Sequence, residues 1–128
     1  MRMFILLAFF AVNACGPDET ISGYADTSAV YHLVSLDGVA FPATATISFP
    51  EQGAVSGQGP CNRYSASQNT FYPWFELGPI LSTRRACAEL DAEAAFFAAL
   101  SDMSLAEVAG DVLLLTGENG RELTFEAR

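Results

Sequence analysis

The sequence predicts an α+β fold in which a strongly curved antiparallel β-sheet, or an open barrel, packs on one α-helix. Three observations carry that prediction. Short alternations of apolar and polar residues, punctuated by Asp37-Gly38, Gly110-Asp111 and Asn119-Gly120, recur from Val30 to the C-terminus. They are interrupted once, at Glu89–Asp102, by an Ala-rich run free of Gly, Pro and β-branched residues. The chain has 128 residues, 51% of them hydrophobic, which suits one domain with a packed core. Six basic residues face fifteen acidic ones, none of the six is Lys, and the net charge is −9. That balance excludes a cationic stripe for nucleic acid, a polybasic membrane patch, a P-loop and a Schiff-base lysine.

Residues 1–14 read as a signal peptide: Arg2, ten apolar residues from Met3 to Val12, then Ala14 at a cleavage site. Ten helical residues span about 15 Å, half of a hydrocarbon core of roughly 30 Å, so the run is too short for a transmembrane anchor. The string Val12-Asn13-Ala14-Cys15 resembles the lipobox of bacterial lipoproteins. The resemblance implies lipidation of Cys15 as the mature N-terminus, and several acyl chains at about 0.8 kcal/mol per buried CH₂ would hold the protein on a membrane. Plain cleavage after Ala14 is the alternative, giving a soluble periplasmic or secreted protein with a free Cys15. Gly16, where Asp would retain a lipoprotein at the inner membrane, implies by analogy with enterobacterial sorting an outer-membrane lipoprotein facing the periplasm. Residues 15–29 are rich in Gly, Ser, Thr and Asp without a period and read as a flexible tether, long enough to hold a domain about 20 Å off the leaflet. The folded domain is expected over 30–128.

The elements follow in order. Val30–Leu36 is a strand, turned at Asp37-Gly38 into Val39–Phe41. Ala43, Ala45, Ile47 and Phe49 alternate with Thr44, Thr46 and Ser48, giving a strand with one apolar and one wet face. Ala54–Ser56 follows the turn at Pro50–Gly53, and a loop with Gly57, Gly59 and Pro60 leads to Cys61. Further strands are expected at Arg63–Ser67, at Phe71–Leu77 with Pro73 at an edge or bulge, and at Ile80–Thr83. The helix carries Glu89, Asp91 and Glu93 in its first turn, where the helix dipole favours acids, and its buried stripe is read as Leu90, Ala94, Phe97 and Leu100 or Ser101, widened by Phe96. Leu105–Ala109, Val112–Thr116 and Arg121–Ala127 close the sheet. Of the aromatic cluster, Phe71 and Phe75 are expected in the core with Trp74 capping it; an exposed patch for a partner is the alternative.

With Cys15 acylated, Cys61 and Cys87 form an even pair in an oxidising compartment, which predicts a disulfide. Closing that loop is worth roughly 3.5 kcal/mol by chain entropy. A redox pair or a metal site, against which stand the lack of C-x-x-C and the single His, and two free thiols are the competing readings. No metal or cofactor is predicted. His32 lies on a strand with no Ser or Cys motif beside it, and the acids are scattered singly, so no catalytic residue is assigned and the protein is expected not to be an enzyme.

Ser56-Gly57-Gln58-Gly59-Pro60-Cys61-Asn62-Arg63-Tyr64, followed by Ser82-Thr83-Arg84-Arg85-Ala86-Cys87, resembles the signature of the META domain, also called HslJ-like. Tyr31–Gly38 is similar to that family's opening strand, and Val112–Thr116 with Leu123–Phe125 to its closing hairpin. The resemblance covers about 98 residues from Val30. It implies a small antiparallel β structure on one helix, often behind a lipoprotein signal, with Cys61 and Cys87 paired and no shared catalytic mechanism. Gly57, Asn62, Arg63, Thr83 and Arg84 are the motif residues, read as structural, with Asn62 bonding loop backbone and Arg84 pairing a carboxylate, or as ligand-contacting. The functional expectation is a monomeric, non-enzymatic envelope lipoprotein whose domain binds an envelope protein or serves envelope maintenance and stress. The alternative is a carrier of lipid or a small hydrophobic ligand, by analogy with pilotins, using a cavity between sheet and helix.

Overall fold

The computed structural model describes residues 16–128, so the signal peptide and Cys15 lie outside the described residues. Ten regular elements follow in order: β1 (Tyr31–Leu36), β2 (Val39–Ala40), β3 (Thr46–Ile47), β4 (Gly53–Gln58), β5 (Arg63–Gln68), β6 (Leu81–Ser82), α1 (Leu90–Asp102), β7 (Met103–Ala109), β8 (Val112–Gly117) and β9 (Glu122–Ala127). The larger sheet runs β2-β1-β9-β8-β7 with β3 also on β1, and the smaller one runs β4-β5-β6; every pairing is antiparallel. A bridge between Ser48 and Ser56 joins the two sheets. They do not close into a barrel, and α1 packs across the opening. This is the α+β architecture the alternating sequence predicts. Among the described residues no helix is long and apolar enough to cross a membrane.

The core is the inner face of both sheets against α1. Leu33 on β1, Leu113 and Leu115 on β8, and Leu123 and Phe125 on β9 all point inward at the spacing of two that a half-buried strand requires. Phe96 of α1 lies at the centre, with ring centroids 5.8 Å from Tyr64, 6.2 Å from Phe41 and 6.3 Å from Phe125. The helix runs without a loop into β7, its last turn ending where the Met103 N–H donates to Leu100 O.

Three local expectations are corrected. The helix buries Glu93, Phe96, Ala99 and Leu100, a stripe one residue away from the one read from sequence, and leaves Leu90 and Ala94 exposed. Within Phe71–Leu77 a turn carrying a cis Tyr72-Pro73 peptide leads into an isolated antiparallel bridge of Trp74 to Leu105, and no full strand forms. Phe75 is buried as expected, but Phe71 and Trp74 are 61% and 62% exposed. The third correction concerns the tether: from Asp18 onward it is part of the fold. A 3-10 turn at Ile21–Gly23 puts Ile21 into the core at 2% exposure, and the Tyr72 N–H donates to Glu19 O at 2.8 Å. Asp18 fixes this turn by accepting from the Thr20 N–H, the Thr20 hydroxyl and the Ser22 hydroxyl. A polar composition concealed a single apolar anchor, Ile21, and one large side chain is enough to dock a short segment.

The Asp37-Gly38 turn has the positive φ values, 51° and 79°, that such a dipeptide supplies at a two-residue hairpin. Asp37 also accepts from the Glu122 N–H at 3.0 Å and from Arg121 at 3.2 Å, while Arg121 reaches Asp102 at 3.0 Å. The Glu122 N–H and then the Arg121 guanidinium hold the Asp37 carboxyl below its ordinary range. Because the folded value is depressed, this contribution is present above the unfolded value of 3.8 and is lost as pH falls through the folded one. Asp37→Asn, which tolerates positive φ, is therefore expected to change the melting temperature slightly at pH 7 and to shallow its decline below pH 4 in acid melts.

Candidate functional site

The loop between β4 and β5, the strand β6 with the strap that follows it, and the first turns of α1 meet at one place. Close approach explains the glycines of the loop. A side chain at Gly57 would lie 2.2 Å from Thr46 O and 2.7 Å from the Tyr64 hydroxyl; one at Gly59 would lie 2.6 Å from Glu93 Oε1. The Tyr64 hydroxyl donates to Thr46 O at 2.6 Å, and the Gln58 N–H donates to Thr46 Oγ1 at 3.0 Å. These bonds explain why Thr46, read as wet, is buried. Burial pushes the Tyr64 hydroxyl well above its ordinary pKa, so it serves as a fixed donor.

Asn62 is the centre of the site, and its side chain is fully used. Its Oδ1 accepts from the Arg85 N–H at 2.6 Å and the Thr83 hydroxyl at 2.9 Å; its Nδ2 donates to Arg85 O at 3.0 Å and to Glu93 Oε2 at 2.7 Å. Glu93, 5% exposed, accepts in addition from the Cys61 and Asn62 N–H groups at 3.1 and 2.7 Å. One carboxylate from the helix thus holds the loop, and one amide passes that hold to the strap. A buried charge is stable only when its lone pairs are taken up in this way. The Cys61–Cys87 disulfide, with Cα atoms 5.7 Å apart, ties the same loop to the same strap. Cys61, Cys87 and Glu89 lie near one another, but bonded sulfurs are not thiolate ligands, and that leaves the carboxylate alone.

Around this knot runs an open groove of about 580 Å³, with Leu90, Ala94 and Phe97 of α1 on one wall, Ile80–Ala86 on the other, and Asn62 and Glu93 in its floor. The Thr83 N–H donates to Arg63 O at 3.1 Å, so the residues that alternate with it, Ser82 and Arg84, turn their backbone groups away from β5. No strand lies on the other side of β6 in this sheet. β6 is therefore an unpaired sheet edge, and its Leu81 is 70% exposed.

Of the residues read from sequence, Gly57, Cys61, Asn62, Thr83 and Cys87 converge here in supporting roles. Arg63 and Arg84 are exposed. The ion pairs among the described residues belong to Arg121, so the expected pairing of Arg84 with a carboxylate is corrected: its side chain projects outward beside the groove. His32 is half-buried on β1, in register with Thr46 and Glu126. The sequence places Glu93 only among the acids of the helix's first turn, not in the site. A signal was there: spaced as 93, 96, 100 and 103, the helix stripe is apolar except for one acid.

The chain belongs to the META domain family, whose match runs over residues 26–128. An NMR structure of a protein from Burkholderia xenovorans is similar to it at 25% identity and a TM-score of 0.65, over 78% of this chain and 81% of that one. A second NMR structure is 24% identical with a TM-score of 0.58, over 78% and 89% of the two chains. The crystal structure of a DUF4847 family protein from Bacteroides vulgatus has a TM-score of 0.64 at 13% identity, over 78% and 92%. The last two speak for the fold alone. Comparison with curated proteins gives no match.

Proposed function

We propose that this META domain is a non-catalytic protein-binding module of a bacterial envelope, carried by a lipid on Cys15, and that it takes an extended segment of its partner along β6. The observation that carries the reading is the free edge of β6, with outward Ser82 and Arg84 backbone groups, beside a groove with an apolar wall. An extended peptide adds to such an edge by main-chain hydrogen bonds, and alternate side chains then enter the neighbouring pocket. Charge supports it. In a chain of net charge −9, Arg63, Arg84 and Arg85 are three of only six cations, and all three lie at this edge. A partner segment with acidic and apolar residues fits best.

The carrier alternative needs space between sheet and helix. That interface is filled by Phe96, Leu100, Leu113, Leu115, Leu123 and Phe125, each fully buried, and so gives it no support. As for chemistry, the groove is lined by one carboxylate that is already saturated with donors, and no nucleophile there is bonded to a base.

The test is a photo-crosslinker at Leu81 in living cells, with a second one at Val112 as control. A defined partner band is expected from Leu81 alone. Ser82→Pro removes an N–H that points away from β5, and proline is tolerated on the open side of an edge strand. That variant should keep its melting temperature within about 2 °C and lose the band. An unchanged band would exclude β6 as the docking edge.

A further inference from the structure

We infer that the exposed aromatic face formed by Tyr24, Phe71 and Trp74 rests in the headgroup region of the membrane that carries the protein. The inference rests on the reading of Cys15 as lipidated. Its first support is the length of chain available. The fold is fixed from Asp18 onward by the bonds of Asp18 to Thr20 and Ser22 and of Glu19 to Tyr72. Only three steps of chain separate Cys15 from Asp18, at most about 11 Å when fully extended. The headgroup layer on one side of a bilayer is itself about 6 Å thick, by the difference between total and hydrocarbon thickness. An acylated Cys15 therefore keeps Asp18 within roughly 5 Å of the headgroups. There is no room for the domain to stand off.

The second support is what lies at that exit point. Tyr72, whose N–H holds Glu19, stacks on Tyr24 with ring centroids 4.2 Å apart and follows Phe71 in sequence. Phe71, Trp74 and Tyr24 are 61%, 62% and 53% exposed, on or beside the turn that the Trp74 N–H closes onto Phe71 O, while most other large aromatics among the described residues are buried. Trp and Tyr favour the membrane–water interface because one end of the ring system is apolar and the other wet. Asp18 and Glu19 sit beside them, so the surface suits zwitterionic lipid rather than an anionic leaflet. The membrane contact and the β6 edge use different residues, which would leave the edge free for a partner.

Trp74 is the only tryptophan and reports directly on this face. The full-length gene product is extracted from membranes, its intact mass is measured, and it is reconstituted into phosphatidylcholine–phosphatidylethanolamine vesicles with and without bromine on the acyl chains. The expected result is an acylated mass, a blue-shifted Trp74 emission relative to water, and loss of intensity in the brominated vesicles. An acylated mass with water-like, unquenched emission overturns the inference while leaving the anchor in place. An unmodified Cys15 overturns the anchor, and the inference with it.

Discussion

Asn62→Asp is expected to destabilise the domain by about 3–5 kcal/mol at neutral pH, far more than the exchange of one atom suggests. One oxygen of the new carboxylate keeps the place of Oδ1 and its two donors, Thr83 and Arg85. The other replaces Nδ2, which now lies 2.7 Å from Glu93 Oε2 and 3.0 Å from Arg85 O. Two donated hydrogen bonds become two repulsions. The repulsion of two buried carboxylates at that separation adds to the loss of the two bonds. Urea denaturation at pH 7.5 reads this directly. Asn62→Ala serves as the control: it breaks the same bonds, leaves partners unsatisfied at about 1–3 kcal/mol each, and adds no new charge. Equal losses in the two variants would mean that Glu93 does not face Asn62.

This prediction could not have been made from the motif alone, and the reason is physical. Period-two alternation fixes which strand residues face inward, because a slip of one residue exposes the whole set. It made β1, β4, β5, β8 and β9 legible to within a residue or three at each end. A helix stripe is less constrained. Leu90, Ala94 and Phe97 form a plausible apolar face, but the face at 93, 96 and 100 differs by only one residue in phase, and Glu93 made it look wrong. Only the partners of that acid, which come from a loop about 31 residues earlier in the chain, make its burial favourable. The same limit explains the segment before β1. Nothing in Gly16–Ala29 has a period, yet Ile21 docks and Asp18 caps the turn, since one anchor and three hydrogen bonds suffice without any repeat. For the turn at Tyr72-Pro73, alternation over Phe71–Leu77 suggested a strand, but the chain there reverses, with the Trp74 N–H donating to Phe71 O. Of the site, the cysteines, Asn62 and the glycines were readable as a motif. Their common purpose, holding an exposed edge strand in place, became readable only with Glu93 and Arg85 in position.

Replacing both Cys61 and Cys87 by Ser is the second change with a large expected effect, about 3.5 kcal/mol, which for a domain of this size lowers the melting temperature by roughly 10–20 °C. The bridge closes a sequence separation of 26 residues, so most of its contribution comes from restricting the unfolded chain. The folded structure has a second tie at the same place, because Asn62 grips both sides of Arg85, two residues before Cys87. Fold should therefore survive the double substitution while the strap loosens from its far end. The residues so released, Ala86 to Glu89, begin at the wall of the groove beside the β6 edge, and their ordering keeps that wall in place. Crosslinking from Leu81 should accordingly fall in the Cys61→Ser, Cys87→Ser variant at temperatures where circular dichroism still reports a folded domain. Asn62→Ala combined with loss of the bridge should cost more than the sum of the two, since each tie limits the freedom the other would release. Thiol titration of the oxidised protein under denaturing conditions provides the baseline. No reactive thiol should come from Cys61 or Cys87; two would mean that the bridge is absent and that hydrogen bonds alone hold the strap.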